Sequence, residues 1–368
     1  MSRVLMNDFR AEPQALRDAT RAAIDRVIDS GWYVLGPEVE AFERAWAARC
    51  DSRFGIGTAS GLDAIEIGLR AMGIGPGDEV ITTPMTAFAT TLAILRSGAT
   101  PVLADIDPQS AQLDPGSVAR CMTERTRAVL LVHLYGQLRR VPAWARFCGE
   151  HEIALSEDCA PAHLARCDGH AAGSFGAFGA FSFYHTKNLG ALGDAGMLVT
   201  QDASMAEIAA RLRNYGQSER YHHPETGMNS RLDEMQAAIL AARLDWLEAF
   251  TARRREIAAR YREHIDNPHI QLLAAPDAPE QHVYHLFVVT TDARERLMAH
   301  LEDAGVQTLI HYPVPVHEQP PCIGLARDPA GLPEAERFAS TCVSLPCHPQ
   351  MSDDDIERVI LAIASFDG

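Results

Sequence analysis

Between residues 53 and 201 the chain alternates short apolar, β-branched runs with helical patterns, and this rhythm narrows the possible folds more than any other feature. The strand runs are RFGIGT, DEVITTP, TPVLADID, RAVLLVHLY, EIALSED, FGAFSFY and GMLVT. Between them SGLDAIEIGLRAMG, TAFATTLAILRSG and PAWARFCGEH read as helices, and Gly, Pro or Asp marks each boundary. Strands so connected bury both faces when helices cover a mostly parallel sheet, so an α/β fold is expected. From Arg231 the pattern changes. RLDEMQAAILAARLDWLEAFTARRREIAARYREHI spaces its apolar residues by three and four and reads as one long connecting helix. A smaller C-terminal α+β domain is expected beyond it, with a strand in HVYHLFVVTT, a helix over 294–304, a proline-rich loop over 311–321 and a final helix from Asp353. NPHIQLLAAPDAPE, rich in proline and weakly periodic, reads as loop. The division is placed near residue 245, giving a large domain over 1–245 and a small one over 246–368.

A chain of 368 residues with 47% apolar side chains can bury a core of that extent. Its formal charge of −16 is spread without blocks, which leaves no footprint for nucleic acid or anionic lipid and favours a small ligand. Cys50, Cys121, Cys148, Cys159, Cys167, Cys322, Cys342 and Cys347 form no CxxC pair and no zinc spacing, so no metal is expected. They read as reduced thiols of a cytoplasmic protein. The start MSRVLMNDFRAEPQALRD lacks an apolar core, and no later run reaches membrane-spanning length, so neither export nor membrane insertion is expected.

Of the 33 basic side chains one alone is lysine, Lys187 in FSFYHTKNLGALGDAG. Lysine offers what arginine cannot, an amine that sheds its proton and attacks a carbonyl. A stray surface lysine in an arginine-biased chain would look the same, so its surroundings have to decide. Asp158 closes the run EIALSED, at the strand end where open α/β sheets bind ligands. A carboxylate there can hold a protonated pyridine nitrogen, although an aspartate at a strand end also serves as a turn former. Ser60-Gly-Leu-Asp63 has the form of a capping box directly after a strand, and such a helix start, with Gly61 and Leu62, can cradle phosphate. An ordinary capped helix carries the same signature. The glycines at 55, 57 and 61 are spaced GxGxxxG, which departs from the dinucleotide fingerprint. Ser182 lies five residues before Lys187, so one hydroxyl and one amine can address opposite ends of the same molecule. Gly190, Gly193 and Gly196 then describe a tight loop, or plain turns.

Together these blocks resemble the DegT/StrS sugar aminotransferases, pyridoxal 5'-phosphate (PLP) enzymes of fold type I. The resemblance runs from GWYVLGPEVEAFE through GDEVITTPMTAFAT, PVLADID, VHLYGQ, Glu157-Asp158, FSFYHTKNLGALGD, RNYGQSERYHH and GMNSRLDEMQAAIL to IHYPVPVH, in family order. It implies that Lys187 bonds the cofactor's aldehyde and then moves protons. Asp158 would pair with the pyridine nitrogen, and Gly61, Leu62 and Ser182 would hold the phosphate, joined by Asn229 from a second subunit of a homodimer. His163 matches a histidine near the cofactor in many members, and a satisfied structural histidine is the competing reading. The family usually moves an amino group from glutamate to a keto sugar on a nucleotide diphosphate. Tyr215, Arg220, Tyr221, His222, Arg231, His311 and Tyr312 fall in its substrate-facing blocks, and their chemistry suits diphosphate and hydroxyl groups. The blocks look most like the branch that aminates thymidine-diphosphate-linked 3-keto-6-deoxyhexoses.

The chain departs from the family pattern around the cofactor. Pro161 replaces a Gln or His, and Ala87 replaces a stacking aromatic for which adjacent Phe88 could substitute. Leu164 takes a common glycine's place, Ala195 interrupts GDGG, and His185 replaces a proline. A sugar dehydratase on the same fold would carry histidine where this chain keeps Lys187. The same fold would also serve a cyclitol aminotransferase or a non-catalytic regulatory protein.

Overall fold

The structure, a computed structural model, describes residues 3–368. Nine strands precede residue 201: β1 (Phe54–Thr58), β2 (Glu79–Thr82), β3 (Thr100–Leu103), β4 (Thr126–Val132), β5 (Ala154–Asp158), the small hairpin of β6 (Arg166–Cys167) and β7 (His170–Ala171), β8 (Gly179–Ser182) and β9 (Gly196–Thr200). β10 (Gln271–Leu272), β11 (Phe287–Thr290), β12 (Ala326–Arg327) and β13 (Cys342–Leu345) follow. Eight of them form one sheet in the order β1-β9-β8-β5-β4-β2-β3-β12. Only β9 runs against its neighbours in that sheet among the described residues.

Side chains of the central strands alternate between two apolar clusters. Val80, Ala128 and Leu130 join the helix Gly61–Ala71, whereas Ile81, Val129 and Leu131 pack toward the helices Pro37–Arg49 and Val141–Glu150. The expected parallel sheet covered on both faces is therefore present. All the parallel strands end at one edge, and the loops leaving it carry the residues discussed below.

The expected long helix is two, Glu234–Leu244 and Leu247–His264. The first packs between helices Gln14–Ser30 and Pro37–Arg49, and the second lies against the final helix Asp353–Ala364. Two different packing partners require a change of direction, and Asp245 and Trp246 make it while keeping near-helical angles. β10 lies inside the segment read as loop. Together with β13 it flanks β11 in an antiparallel three-stranded sheet backed by Leu297, Leu301, Ile356 and Ile363. Val4 belongs to this same cluster and hydrogen-bonds with Gly305 and Gln307, while β12 crosses back to the edge of the large sheet.

Candidate active site

β5 delivers Asp158 to the edge where the parallel strands end. Alternate residues of this strand point to opposite sides. Glu157 accepts hydrogen bonds from the backbone N–H groups of Gly173, Phe175 and Gly176 and lies 2.8 Å from His133 Nε2. Asp158, almost fully buried, accepts from Thr90 Oγ1 at 2.7 Å on one oxygen and from the Ala160 N–H at 3.1 Å on the other. Thr90 occupies the first turn of the helix Phe88–Ser97, and its hydroxyl lies 2.8 Å from that of Thr86. Each carboxylate oxygen keeps a lone pair for a further donor.

β1 leads into Ser60, whose Oγ accepts the Asp63 N–H and caps the helix Gly61–Ala71. The reciprocal arm of the capping box is not made, because the Asp63 carboxylate accepts from Ser230 Oγ at 2.8 Å and pairs with Arg96. The first N–H groups of this helix, at Gly61 and Leu62, have no acceptor within the helix and lie at the positive end of its dipole. Ser182 on β8 stands against Gly61 so closely that a Cβ there would come within 2.7 Å of the serine Cβ. Glycine thus lets a phosphate-sized anion approach backbone and hydroxyl together.

After β8 the chain turns through Lys187. The turn closes with Lys187 N–H donating to Tyr184 C=O and Ala191 N–H to Phe183 C=O, both at 2.8 Å. Asn188 Nδ2 donates to Val283 C=O, so its Oδ1 faces His285 Nδ1 at 3.3 Å as the acceptor. Burial drives the half-buried Lys187 ammonium toward its neutral form, opposed by the negative charge of Asp158. His311 lies within electrostatic reach of Lys187, and burial first, then that charge, lowers it to about 4. Tyr312 is pushed up to about 12, by burial and then by Asp158. A cavity of about 80 Å³ lined by Thr186, His285 and His311 adjoins the turn. Phe88 and Tyr312 pack on one apolar cluster with Met85 and Tyr135.

His163 is placed behind the lysine turn. Its ring packs against Trp46, Phe181 and Phe183, on the face of β8 opposite Ser182. Its Nδ1 accepts the Leu189 N–H at 3.0 Å, which fixes the neutral tautomer with the proton on Nε2. Burial, then the neighbouring Lys187 charge, holds His163 at about 3, and burial and Arg262 do the same for His282. Unfolded, both histidines bind a proton as pH falls through 6.5; folded, neither does until about 3. Stability from these groups is therefore complete above pH 6.5 and declines as pH falls toward 3, by up to about 1.4 kcal/mol per pH unit for each. Urea midpoints are expected to fall between pH 7 and pH 4.5 and to fall less in His282→Gln; a flat wild-type profile contradicts this.

The block RNYGQSERYHH forms a loop apart from these groups. Tyr215 is half-exposed under the guanidinium of Arg231, 5.4 Å from the ring centroid, and Arg220 stacks likewise on the exposed Tyr221. His222 is exposed and bridges backbone with Glu219, and exposed Asn229 bridges backbone with Asn214. Among the described residues no hydrogen bond or ion pair joins Tyr215, Arg220, Tyr221, His222, Asn229 or Arg231 to Asp158 or Lys187.

Of the departures, Leu164 is the one with a backbone consequence. It sits at φ 65°, in the left-handed region where glycine is free and leucine is strained. Pro161 and Ala195 are buried, Ala87 precedes the helix Phe88–Ser97 without a side-chain cap, and the His185 ring meets Phe9 and Tyr184. Thr86, Thr90, Asn188 and His285 are not singled out by the sequence. A signal for the threonines is present in TAFATT, because hydroxyls spaced by four at the start of an otherwise apolar helix must find partners once buried.

A strand-end carboxylate, a helix start opened by glycine opposite a serine, and a lysine whose amine burial pushes toward its neutral form fit PLP. Asp158 can meet the ring nitrogen, Gly61, Leu62 and Ser182 the phosphate, and Lys187 the aldehyde. The chain belongs to the DegT/DnrJ/EryC1/StrS aminotransferase family, whose model matches residues 14–364, and it is a PLP-dependent aminotransferase. It is 45% identical over 366 residues to the dTDP-3-amino-3,4,6-trideoxy-alpha-D-glucose transaminase of Streptomyces venezuelae, covering 99% of this chain and 96% of that one. It is 44% identical over 359 residues to the dTDP-3-amino-3,6-dideoxy-alpha-D-galactopyranose transaminase of Aneurinibacillus thermoaerophilus, covering 98% of each. The crystal structure of S. venezuelae DesV superposes with a TM-score of 0.95 at 45% identity, covering 99% of this chain and 98% of that chain.

Gly61→Ala is expected to push Ser182 aside and weaken PLP binding about tenfold or more, because a closely packed contact absorbs an extra carbon poorly. Pyridoxal without phosphate is expected to bind the variant and the wild type alike. Equal losses for both compounds, by fluorescence titration, would remove the phosphate assignment.

Proposed function

We propose that the protein aminates a keto sugar carried on a nucleotide diphosphate, a dTDP-linked 3-keto-6-deoxyhexose in the first instance, with L-glutamate as donor. The observation that carries this reading is the convergence of Asp158, Ser182 and Lys187 at the end of the parallel sheet; the names of the two relatives above support the sugar nucleotide. PLP, when bound, supplies the electron sink for moving an amino group. Asp158 would hold the ring nitrogen, Gly61, Leu62 and Ser182 would anchor the phosphate, and Phe88 would lie beside the ring. Lys187 would bond the aldehyde and, once released, would carry a proton between the substrate's carbon and the cofactor's. His163 keeps the turn in place through Leu189.

His311 and Tyr312 address the sugar from the small domain, which we take as 246–368 against a large domain of 1–245. Tyr215, Arg220, Tyr221, His222, Arg231 and Asn229 serve the neighbouring active site of a homodimer. Exposed Trp32, Tyr33, Tyr184 and Leu192 offer the apolar surface such a dimer would cover. The protein is assigned to the cytoplasm, where nucleotide sugars are made and its eight free thiols stay reduced. Retention of Lys187 disfavours the dehydratase.

The test is incubation with glutamate and a panel of nucleotide-linked keto sugars, read by mass spectrometry. Gain of an amino group and loss of oxygen on the dTDP-3-keto-6-deoxyhexose, with 2-oxoglutarate in equal amount, is expected. Amination of free cyclitols alone would overturn the sugar-nucleotide reading.

A further inference from the structure

The carboxylate of Asp158 is held by a hydroxyl chain that no other part of the site requires. Thr90 has one hydroxyl proton, and at 2.7 Å it goes to the Asp158 carboxylate. The 2.8 Å contact with Thr86 must then be made by the Thr86 proton, so the chain runs Thr86 to Thr90 to Asp158 in one direction. All three side chains are buried: Thr90 is fully inaccessible, Thr86 is 4% exposed and Asp158 5%. Thr90 lies in the first turn of a ten-residue helix, so the positive end of that helix adds to the hydroxyl's effect on the same anion.

We propose that Thr90, backed by Thr86, is a positioning residue that holds the Asp158 carboxylate turned toward the cofactor's ring nitrogen and, by donating to its oxygen, favours the proton on that nitrogen. This rests on the assignment of Asp158 as the partner of that nitrogen. One proton is shared between the carboxylate oxygen and the nitrogen, and whichever site the surroundings favour receives it. A hydrogen bond donated to the oxygen stabilises the anion and so leaves the proton on nitrogen. Without Thr90 that preference is lost, the ring shifts toward its neutral form and the electron sink weakens. Pro161 offers no polar side chain, and the Ala160 N–H restrains only the other oxygen.

The experiment uses full-length protein loaded with PLP labelled with ¹⁵N in the ring. In wild type the ring nitrogen is expected to resonate at the pyridinium position. In Thr90→Val it is expected to move toward neutral pyridine, and the single-turnover rate with glutamate to fall roughly tenfold or more with half-saturation unchanged, the scale of one hydrogen bond to a charged group. Thr90→Ser restores both, and Thr86→Val gives a smaller shift in the same direction. An unmoved resonance in Thr90→Val overturns the proposal. Should that variant fail to fold, an unmoved resonance in Thr86→Val does so. Asp158→Asn separates the two levels: if it too leaves the nitrogen protonated, the assignment of Asp158 has failed; if it alone neutralises the ring, only the role of Thr90 has.

Discussion

Lys187→Ala is expected to abolish transamination, with turnover down by roughly 10⁴-fold or more, because in the proposed mechanism the same amine both bonds the cofactor and moves the proton. Protein folding should be unaffected. The side chain is half-buried on a turn whose hydrogen bonds run through backbone groups and through Asn188, none of which needs the ammonium. Because the chain contains no other lysine, borohydride reduction of the loaded wild-type enzyme should place a pyridoxyl group on Lys187 and on no other side chain. Peptide mass spectrometry reads this directly. The alanine variant should still bind PLP through Gly61, Leu62, Ser182 and Asp158, but release it on denaturation even after reduction. Substantial turnover by the variant, or labelling that survives the substitution, would place the chemistry elsewhere. Burial drives the amine toward its neutral form, so the wild type should be trapped readily at a pH where a surface lysine is still an ammonium ion.

The parts of this site that could be read from sequence are those made by neighbours in the chain. Asp158 ends a strand run, Ser182 and Lys187 are five residues apart around one turn, and Ser60 precedes Gly61 and Leu62 at a helix start. Each of these is a local pattern tied to a local structure. Thr90 meets Asp158 across 68 residues, and Asn188 reaches Val283 and His285 across 95 and 97. Such contacts are products of packing, and periodicity carries no trace of them. The fold divides the same way. Seven of the eight strands of the large sheet were legible because each apolar run is bounded by Gly, Pro or Asp, whereas its edge strand β12 and β10 of the small sheet, of two residues each, are too short to alternate. The helix break at Asp245 was hidden for a different reason. Leu240, Leu244 and Leu247 keep the helical spacing across it, and neither Gly nor Pro marks the change of direction. His163 shows the converse: a resemblance locates it near the cofactor, but its ring is turned into the aromatic core and acts on the lysine turn from behind.

Asp158→Asn changes one atom in size-matched fashion and should reduce turnover roughly a hundredfold or more, the scale of losing a charge aimed at the developing transition state. The amide can still accept from Thr90 through its oxygen, so the helix Phe88–Ser97 should stay docked. The Ala160 N–H, however, now faces an NH₂ group in place of an acceptor. What is lost is the negative charge proposed to hold the ring nitrogen protonated. Binding of PLP should weaken modestly, since the phosphate cradle is untouched, while the half-reaction with glutamate slows far more than its half-saturation changes. That split distinguishes loss of the electron sink from simple loss of cofactor, which would be reversed by excess PLP. The substitution also bears on Tyr312, whose hydroxyl is held up near 12 by burial and then by the Asp158 charge; removing that charge should lower it, and ultraviolet difference titration should detect the change. Near-normal kinetics together with an unmoved Tyr312 titration would mean that Asp158 does not face the reacting centre, and the chemistry assigned to this strand end would have to be given up.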